Sequence, residues 1–146
     1  MKVKYFDLKN KRVFITGGGS GIGASIVEHF CEQECEVYFV DINIKESKKL
    51  ISNLKKKKIK APHFIECNLL KIKKLENIIK KIIKSKGPID ILINNAANDD
   101  RHSTKQVDEK YWNNRMDVNL KHFFFTIKAV LKGMIQKKSG AIVNLS

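Results

Sequence analysis

The sequence predicts an α/β fold in which helices cover both faces of a parallel, doubly wound sheet. Short runs of apolar and β-branched residues alternate with longer stretches of helical periodicity, which is the order of strand–helix–strand units. A glycine-rich turn also separates the first apolar run from the first helical stretch. No linker, repeat or low-complexity segment interrupts this pattern, so we expect one domain over residues 1–146.

The predicted strands are the apolar runs at residues 12–16, 36–41, 63–67, 89–94 and 141–145. Their apolar character is nearly continuous rather than alternating. Strands of that composition lie inside a sheet with both faces covered. We therefore expect a three-layer α/β/α arrangement that stops after its fifth strand.

Helices are predicted at about residues 21–34, 44–58 and 70–85, and a long fourth helix ends near Lys138. The third helix has apolar residues at every third or fourth position with lysines between them, so one stripe faces the sheet. Gly87 and Pro88 end this helix before the fourth strand. Between about residues 118 and 138 the last helix is apolar on more than one face.

The composition is strongly basic, with 29 basic and 15 acidic residues and a formal net charge of +14. Such a charge suggests a lysine-rich nucleic-acid binder. Only Arg12, Arg101 and Arg115 are arginines, however, whereas base and phosphate recognition favours arginine. We therefore expect no nucleic-acid partner, and we interpret the lysines at residues 55–58 as the exposed end of a helix.

Cysteine and apolar patterns restrict the type of protein further. Cys31, Cys35 and Cys67 are odd in number and lack a C-x-x-C spacing, which indicates packed thiols rather than disulfides or a metal site. No run approaches the ~20 apolar residues that cross a bilayer. Residues 1–10 lack the apolar core of a secretion signal. We expect a cytoplasmic protein without a membrane partner.

A glycine-rich turn, Thr16-Gly17-Gly18-Gly19-Ser20-Gly21-Ile22-Gly23, follows the first strand directly and leads into a helix. This order aims backbone N–H groups and the positive end of the helix at a diphosphate. Glycine is needed because a Cβ would keep phosphate oxygens away from the backbone. The turn predicts the dinucleotide site of a Rossmann-type fold, and a glycine-rich hinge is the alternative interpretation.

Asp41 ends the second strand, at about the separation from the glycine turn that a dinucleotide fold requires. A carboxylate there accepts hydrogen bonds from the adenosine ribose and repels a 2′-phosphate, which favours NAD over NADP. Asn43 and Lys45 leave some room for a phosphate. The alternative is an aspartate that merely ends a strand.

Three separate motifs resemble those of the short-chain dehydrogenase/reductase family. They are Thr16-Gly17-x-x-x-Gly21-x-Gly23, Asn94-Asn95-Ala96-Ala97 after the fourth strand, and Val118-Asn119-Leu120-Lys121 on the last helix. The resemblance covers residues 11–146. Residues 98–102, Tyr111-Trp112 and Arg115 are most similar to bacterial sugar dehydrogenases of the D-xylose or aldose 1-dehydrogenase kind.

This resemblance implies NAD as cofactor, a sugar or secondary alcohol as substrate and a role for each matching residue. The diphosphate would bind to Gly17, Ser20, Gly21, Ile22 and Gly23. The adenosine ribose would bind to Asp41 and Ile42, and the adenine would lie along Asn68 and Leu69. Asn95 would support the sheet and the cofactor's ribose region, Ala96 and Ala97 would also belong to the cofactor site, and Asn119 would be the catalytic asparagine. Asn68 stands where the family usually has aspartate, and Ala97 where it has glycine.

The family's catalytic serine, tyrosine and lysine belong after the fifth strand, and Ser146 matches the residue before that serine. The resemblance therefore implies a truncated chain that is inactive by itself and whose fifth strand forms an exposed edge. Tyr5 and Lys9 imitate the Tyr-x-x-x-Lys spacing, but they precede the first strand. Of the four histidines, only His102 is expected near the ligand crevice.

Two further points stay open at the level of sequence. The charged loop at residues 98–102 either binds sugar hydroxyls or forms a salt-bridged surface turn. The chain is either part of a dehydrogenase or a non-catalytic module that binds NAD. In the family the last helix forms a dimer or tetramer interface, so the resemblance also implies a homo-oligomer.

Overall fold

Five parallel strands form one sheet in the part of the chain that the structure, a computed structural model, describes, residues 3–145. They are β1 (Arg12–Thr16), β2 (Glu36–Asp41), β3 (His63–Glu66), β4 (Ile91–Asn94) and β5 (Ala141–Asn144). Their order across the sheet is β3-β2-β1-β4-β5. This is the strand order of a Rossmann-type fold, as predicted. Ser146, which by resemblance precedes the family's catalytic serine, lies outside the described residues.

Helices connect the strands and cover the sheet. The α-helices are α1 (Gly21–Glu32), α2 (Ile44–Lys56), α3 (Ile72–Lys86), α4 (Glu109–Met116) and α5 (His122–Lys137). Short 3₁₀ turns lie at Phe6–Leu8 and Thr104–Gln106, and a π-helical turn at Asp117–Lys121 joins α4 to α5. None of the helices described within residues 3–145 has the length and apolarity needed to cross a membrane.

The helices lie in two layers, one on each face of the sheet. Side chains alternate between the faces along each strand. On one face, Val13 shares a core cluster with Val27 of α1 and with residues of α2. On the other, Phe14 shares a cluster with Leu75 of α3 and Val130 of α5. The predicted α/β/α layering is therefore confirmed.

Three helices end earlier than the predicted boundaries because residues after them adopt left-handed backbone angles. The φ angle is +63° at Glu34, +57° at Lys58 and +50° at Lys138. A right-handed helix cannot continue through such a residue. No glycine or asparagine stands at these positions, which is why the sequence pattern did not mark the ends.

The third helix starts two residues later than predicted, at Ile72 rather than Leu70. The side-chain Oδ1 of Asn68 accepts the amide hydrogen of Leu70 at 2.9 Å, and the amide of Lys71 donates to the Asn68 carbonyl at 2.9 Å. These bonds close a turn before the helix begins.

The predicted long helix is two helices with a wider turn between them. α4 ends at Met116 and α5 begins at His122, and the π-helical turn Asp117–Lys121 lies between them. A π-helical turn inserts an extra residue into the helical ladder and is common at functional sites. Hydrophobic periodicity cannot detect one inserted residue, so the sequence indicated one continuous element.

The two edge strands are more exposed than the continuous apolar pattern predicted. All four residues of β5 are exposed, including Val143 at 43%. In β3, His63 and Glu66 are exposed. The expectation of covered faces is therefore wrong for β3 and β5 and holds for the inner strands, whereas the exposed edge at the fifth strand is confirmed.

Polar groups are buried at the carboxyl ends of the inner strands. Thr16 ends β1 and Asn94 ends β4, and both have no exposed surface. The buried stripe of α5 is polar at the same end of the sheet: His122 and Thr126 come first along the helix, and the apolar Val130 follows them. One end of the sheet thus contains a buried polar layer, which is unusual enough to indicate function.

All three cysteines are free and buried, as predicted. Burial raises the pKa of the Cys31 thiol to about 12 and that of Cys35 to about 11. Within residues 3–145 no group of three or more His, Cys, Asp or Glu side chains is arranged to hold a metal ion.

Candidate functional site

The glycine turn lies at the junction of β1 and α1, at the carboxyl edge of the sheet. Gly17 and Gly21 have φ angles of +69° and +53°, which glycine adopts without strain. The amide of Gly17 donates to the carbonyl of Val40 in β2 at 2.8 Å. The turn is therefore anchored to the inner strands, and it is not a free hinge.

Close approach explains four of the five glycines in the turn, including Gly19, whose Cβ would lie 2.5 Å from Oγ of Ser47. A Cβ on Gly23 would lie 1.8 Å from the carbonyl oxygen of Gly17, and a Cβ on Gly17 would lie 2.8 Å from Cα of Ala96. A Cβ on Gly18 would lie 2.7 Å from the side chain of Phe39. A Cβ on Gly21 would instead meet nothing within 4 Å. The turn is thus packed tightly against the sheet and open on its outer side.

The open side of the turn carries unpaired donors. Ser20 precedes α1 with extended backbone, and its side chain makes no capping hydrogen bond. The first N–H groups of a helix have no partner within the helix. The first turn of α1 holds no acidic residue, and Ser20, Gly21 and Ile22 are exposed. This arrangement suits an anion such as a diphosphate.

Asp41 is tied to the glycine turn. Its Oδ2 accepts the amide hydrogen of Gly19 at 2.8 Å, and its Oδ1 accepts that of Asn43 at 2.8 Å. Asn43 caps α2 by accepting the amide hydrogen of Glu46, so its side chain is already engaged. The next residue, Ile42, is 69% exposed. The carboxylate therefore lies beside the turn with lone pairs left for further donors.

Asn95 connects the turn to the end of β4. Its Nδ2 donates to the carbonyl oxygens of Thr16 and Gly17, at 3.1 and 2.9 Å. Its backbone amide and that of Ala96 donate to the Thr16 hydroxyl, at 3.0 and 3.1 Å. Asn95 and Ala96 thereby fix the second wall of the cleft opposite the glycine turn.

The other residues that the resemblance assigned to the cofactor are divided between surface and core. Ala97 and Asn68 are exposed at the carboxyl edge. Leu69 is only 9% exposed and belongs to the core cluster beneath α3. Its backbone, rather than its side chain, is what remains available to a ligand.

Asn119 lies in the π-helical turn and reaches the loop after β4. Its Oδ1 accepts the amide hydrogen of Asn98 at 2.7 Å, and its Nδ2 donates to the Asn98 carbonyl at 3.0 Å. Asn119 is therefore brought to the same edge of the sheet as the glycine turn, and its side chain orders the loop wall.

The charged loop after β4 contacts the start of α4. Asp100 pairs with Arg115 at 3.1 Å, and its carbonyl accepts the Tyr111 hydroxyl at 2.9 Å. The guanidinium lies over the Tyr111 ring at 4.6 Å, and its Nε and Nη1 have no hydrogen-bond acceptor. The ring of His102 packs on Tyr111 at 4.4 Å. The ion pair between Asp100 and Arg115 is the kind of contact expected if residues 98–102 form a salt-bridged surface turn.

His122 belongs to the site, although the sequence indicated only His102 near the crevice. Its Nε2 lies 3.2 Å from the Thr16 hydroxyl, and the residue has no exposed surface. That expectation was wrong because only the packing of α5 brings His122 to the end of β1. The four-residue spacing from His122 to Thr126 and Val130 was the signal that it faces the sheet.

Tyr5 and Lys9, which have the Tyr-x-x-x-Lys spacing, lie away from the glycine turn. Lys9 pairs with Glu34 at 2.9 Å, next to the end of α1. Tyr5 is hydrogen-bonded to the Gln33 side chain through its backbone amide. Both residues are at the opposite edge of the sheet from the glycine turn, as predicted.

Comparisons with known proteins agree with this geometry. The family model described as short chain dehydrogenase matches residues 11–146. D-xylose 1-dehydrogenase of Caulobacter vibrioides is 41% identical over 140 residues, which are 96% of this chain and 54% of that protein. A protein named as a probable galactose dehydrogenase of Rhizobium meliloti is 39% identical, over 96% of this chain and 55% of that protein.

A solved structure shares the fold. The ligand-free aldohexose dehydrogenase of Thermoplasma acidophilum superimposes with a TM-score of 0.82 and 27% identity, over 97% of this chain and 51% of that one. The chain spans about half the length of the relatives that it matches.

Proposed function

Because this chain belongs to the short chain dehydrogenase family, we propose that it is the NAD-binding part of an oxidoreductase that transfers hydride between NAD and a sugar or secondary alcohol. The single observation that carries the proposal is the glycine turn between β1 and α1, which packs tightly against the sheet on its inner side and is open to solvent on its outer side, at Gly21. The proposal covers residues 1–146 as one dinucleotide-binding domain.

The residues of the turn fit a dinucleotide. The diphosphate would take the amides of Ser20, Gly21 and Ile22 at the positive end of α1, where a Cβ at Gly21 would occupy the free space. Gly17 and Gly23 would hold the turn in this shape, because neither position has room for a Cβ. Bound NAD supplies the acceptor for the hydride.

Asp41 supports NAD over NADP. Its carboxylate retains acceptor capacity after binding the amides of Gly19 and Asn43, and ribose hydroxyls are donors. A 2′-phosphate would bring a second negative charge next to this carboxylate, which is unfavourable. With Asn43 engaged as the cap of α2, Lys45 would be the remaining side chain for a phosphate.

The names of the relatives support a sugar as substrate, since two of them oxidise D-xylose or galactose by name. In this chain, the loop formed by residues 98–102 lies over the carboxyl edge of the sheet, where ligands of open α/β sheets bind. Asp99 and Arg101 are exposed there and offer an acceptor and donors for hydroxyl groups. We propose these two residues as sugar contacts.

Asn119 is proposed as the catalytic asparagine. Its side chain holds the loop through Asn98, which leaves its backbone in the π-helical turn to hold a water molecule. The family's serine, tyrosine and lysine have no counterpart at matching positions in residues 1–146. We therefore expect hydride transfer from the full-length protein that carries this chain and none from these residues alone.

Assembly and location are part of the same proposal. Phe124 and Ile135 of α5 are each 64% exposed, and Leu131 is 42% exposed. An apolar helical stripe of this kind is typical of a subunit interface. We propose a cytoplasmic homodimer or homotetramer.

Calorimetric titration with NAD and NADP tests the binding step. We expect NAD to bind and NADP to bind at least tenfold more weakly. The variant Gly21→Ala should lose most of the NAD affinity because its Cβ enters the open side of the turn. Gly87→Ala is the matched control, since Gly87 also has a positive φ, +96°, but lies in the turn before β4 at the other edge. Equal losses in both variants would contradict the proposal.

The alternative is a module that binds NAD without catalysis. Dehydrogenase assays of the full-length protein with aldoses and secondary alcohols distinguish the oxidoreductase from the non-catalytic module. NAD binding with no turnover of any of them would favour the module, whereas reduction of NAD by an aldose supports the enzyme.

A further inference from the structure

We propose that His122 is a positioning residue of the dinucleotide site, which ties Thr16 at the base of the glycine turn to the π-helical turn that carries Asn119. The inference rests on the proposed function, because it assigns the residue to the NAD cleft.

The Thr16 hydroxyl has two acceptor positions and one hydrogen to donate. The backbone amides of Asn95 and Ala96 both donate to this oxygen, at 3.0 and 3.1 Å. Both acceptor positions are therefore used. The hydroxyl hydrogen must point to its remaining neighbour, which is Nε2 of His122 at 3.2 Å.

This assignment fixes the state of the imidazole. Nε2 accepts a hydrogen bond and so carries no hydrogen, and Nδ1 lies 2.7 Å from the carbonyl oxygen of Val118, to which it can only donate. His122 is therefore neutral with its hydrogen on Nδ1. Neither Thr16 nor His122 has any exposed surface, so water does not compete for these bonds.

The two bonds join both sides of the site. Through Thr16, the imidazole fixes the oxygen on which the Asn95 and Ala96 amides converge. Through Val118, it holds the π-helical turn one residue before Asn119. His122 thus links the wall of the cofactor cleft with the proposed catalytic asparagine.

Small shifts matter at this place because the glycine turn packs tightly against the residues that follow β4. Gly17 and Ala96 lie so close that a Cβ on Gly17 would be 2.8 Å from Ala96 Cα. An apolar residue at position 122 would fill the space, but it would leave the Thr16 hydrogen without a partner and would remove the bond to the Val118 carbonyl. Buried groups without partners rearrange or destabilise the fold, and here the groups that rearrange belong to the cleft wall.

A double-mutant cycle on NAD affinity tests the link, using the full-length protein and a temperature at which every variant is folded. We expect His122→Leu and Thr16→Val each to weaken NAD binding on the order of tenfold. In the Thr16→Val background, His122→Leu should weaken NAD binding less than it does alone, because the bond between His122 and Thr16 is already gone while the bond to Val118 is still there to lose. If the loss of NAD affinity in the double variant equals the product of the losses in the two single variants, the proposed link is overturned.

Val130→Ala is the control for loss of packing. Val130 lies on the same stripe of α5, two helical turns after His122, and is fully buried in an apolar cluster without a polar partner to lose. We expect this variant to lower stability and to leave NAD affinity unchanged. If His122→Leu behaves in the same way, His122 is a packing residue and the proposal is wrong.

Nitrogen-15 NMR of the imidazole rings tests the proposal without any substitution. The shifts of His122 should show a neutral ring with hydrogen on Nδ1, and they should change when NAD is added. His63, which stacks on Tyr38 at the other end of the sheet, is the internal control and should not respond. Hydrogen on Nε2, or a His122 signal indifferent to NAD, would overturn the inference.

The outcomes separate this inference from the proposed function. If the wild-type protein binds neither NAD nor NADP, the proposed function fails and His122 has no cofactor to position. If the wild-type protein binds NAD and the His122 variants bind it equally well, only the present inference fails.

Discussion

Asp41 accepts the amide hydrogen of Gly19 at 2.8 Å, which joins the end of β2 to the middle of the glycine turn. One carboxylate therefore shapes the turn and also contributes the negative charge next to it. A Cβ on Gly19 would lie 2.9 Å from this carboxylate, so the contact depends on glycine as well as on aspartate. These two contributions of Asp41 are separable by substitution.

Asp41→Asn removes the charge and keeps an oxygen that can accept from Gly19. We expect the preference for NAD over NADP to fall about tenfold, because the repulsion of a 2′-phosphate is lost. NAD affinity itself should change much less than in Asp41→Ala, which also loses the bond to the turn. Titration of each variant with NAD and with NADP gives the ratio of the two affinities for Asp41→Asn and for Asp41→Ala.

Asp99→Asn is the matched control for charge, since Asp99 is an exposed aspartate at the same edge of the sheet. It should leave the ratio of the two affinities unaltered. An unchanged preference in Asp41→Asn would mean that nucleotide selection lies elsewhere.

Thr126 and Asn94 form a second buried polar contact between α5 and the sheet. The Thr126 hydroxyl donates to Asn94 Oδ1 at 2.7 Å, and Asn94 Nδ2 donates to Asn144 Oδ1 in β5 at 2.9 Å. Thr126→Val keeps the shape but removes the donor. We expect the free energy of unfolding to fall by about 1–3 kcal/mol, because Asn94 loses a partner in a buried site.

Urea denaturation measures this loss. Thr104→Val, at an exposed threonine in a short 3₁₀ turn, should change the free energy of unfolding by less than about 0.5 kcal/mol. A Thr126→Val protein as stable as the wild type would show that Asn94 finds another partner.

The cysteines provide a probe of the sheet layers. Cys31 and Cys35 are 2% and 1% exposed, and burial raises both thiol pKa values, to about 12 and about 11. Since the thiolate is the reactive form, we expect the folded protein to resist iodoacetamide at neutral pH. Mass spectrometry should show all three cysteines alkylated only after unfolding. Rapid modification of Cys31 in the folded state would contradict the packing of α1 on the sheet.

Acid should weaken the fold through His122. Burial lowers the pKa of His122 below its usual 6.5, although the hydrogen bond to the Val118 carbonyl acts in the opposite direction. The contacts of the ring, with Thr16, Val118 and the edge of Phe123, are all uncharged. As the pH falls below 6.5, the unfolded chain takes up a proton that the folded chain resists.

The free energy of unfolding should therefore decrease from about pH 7 to about pH 5, and less steeply in His122→Leu than in the wild-type protein. Urea titrations of both proteins at several pH values check this. Parallel pH curves would show that His122 takes no part in the acid sensitivity.

Local sequence patterns were sufficient for the fold and for the position of the glycine turn between β1 and α1. The apolar runs identified every strand of the sheet, and the glycine turn was recognised because its order of strand, turn and helix is local in the chain. Helix ends were less predictable. Glu34, Lys58 and Lys138 adopt left-handed angles that their residue types do not signal.

By itself, the sequence determined the α/β class, the layers and the residues that build the glycine turn, because periodicity and glycine spacing act over one or two neighbouring elements. Only the tertiary structure decided that His122 meets Thr16, which is 106 residues away. It also decided that Asn119 lies in a π-helical turn between α4 and α5. These features depend on how α5 packs across the strand ends, and no local pattern contains that information.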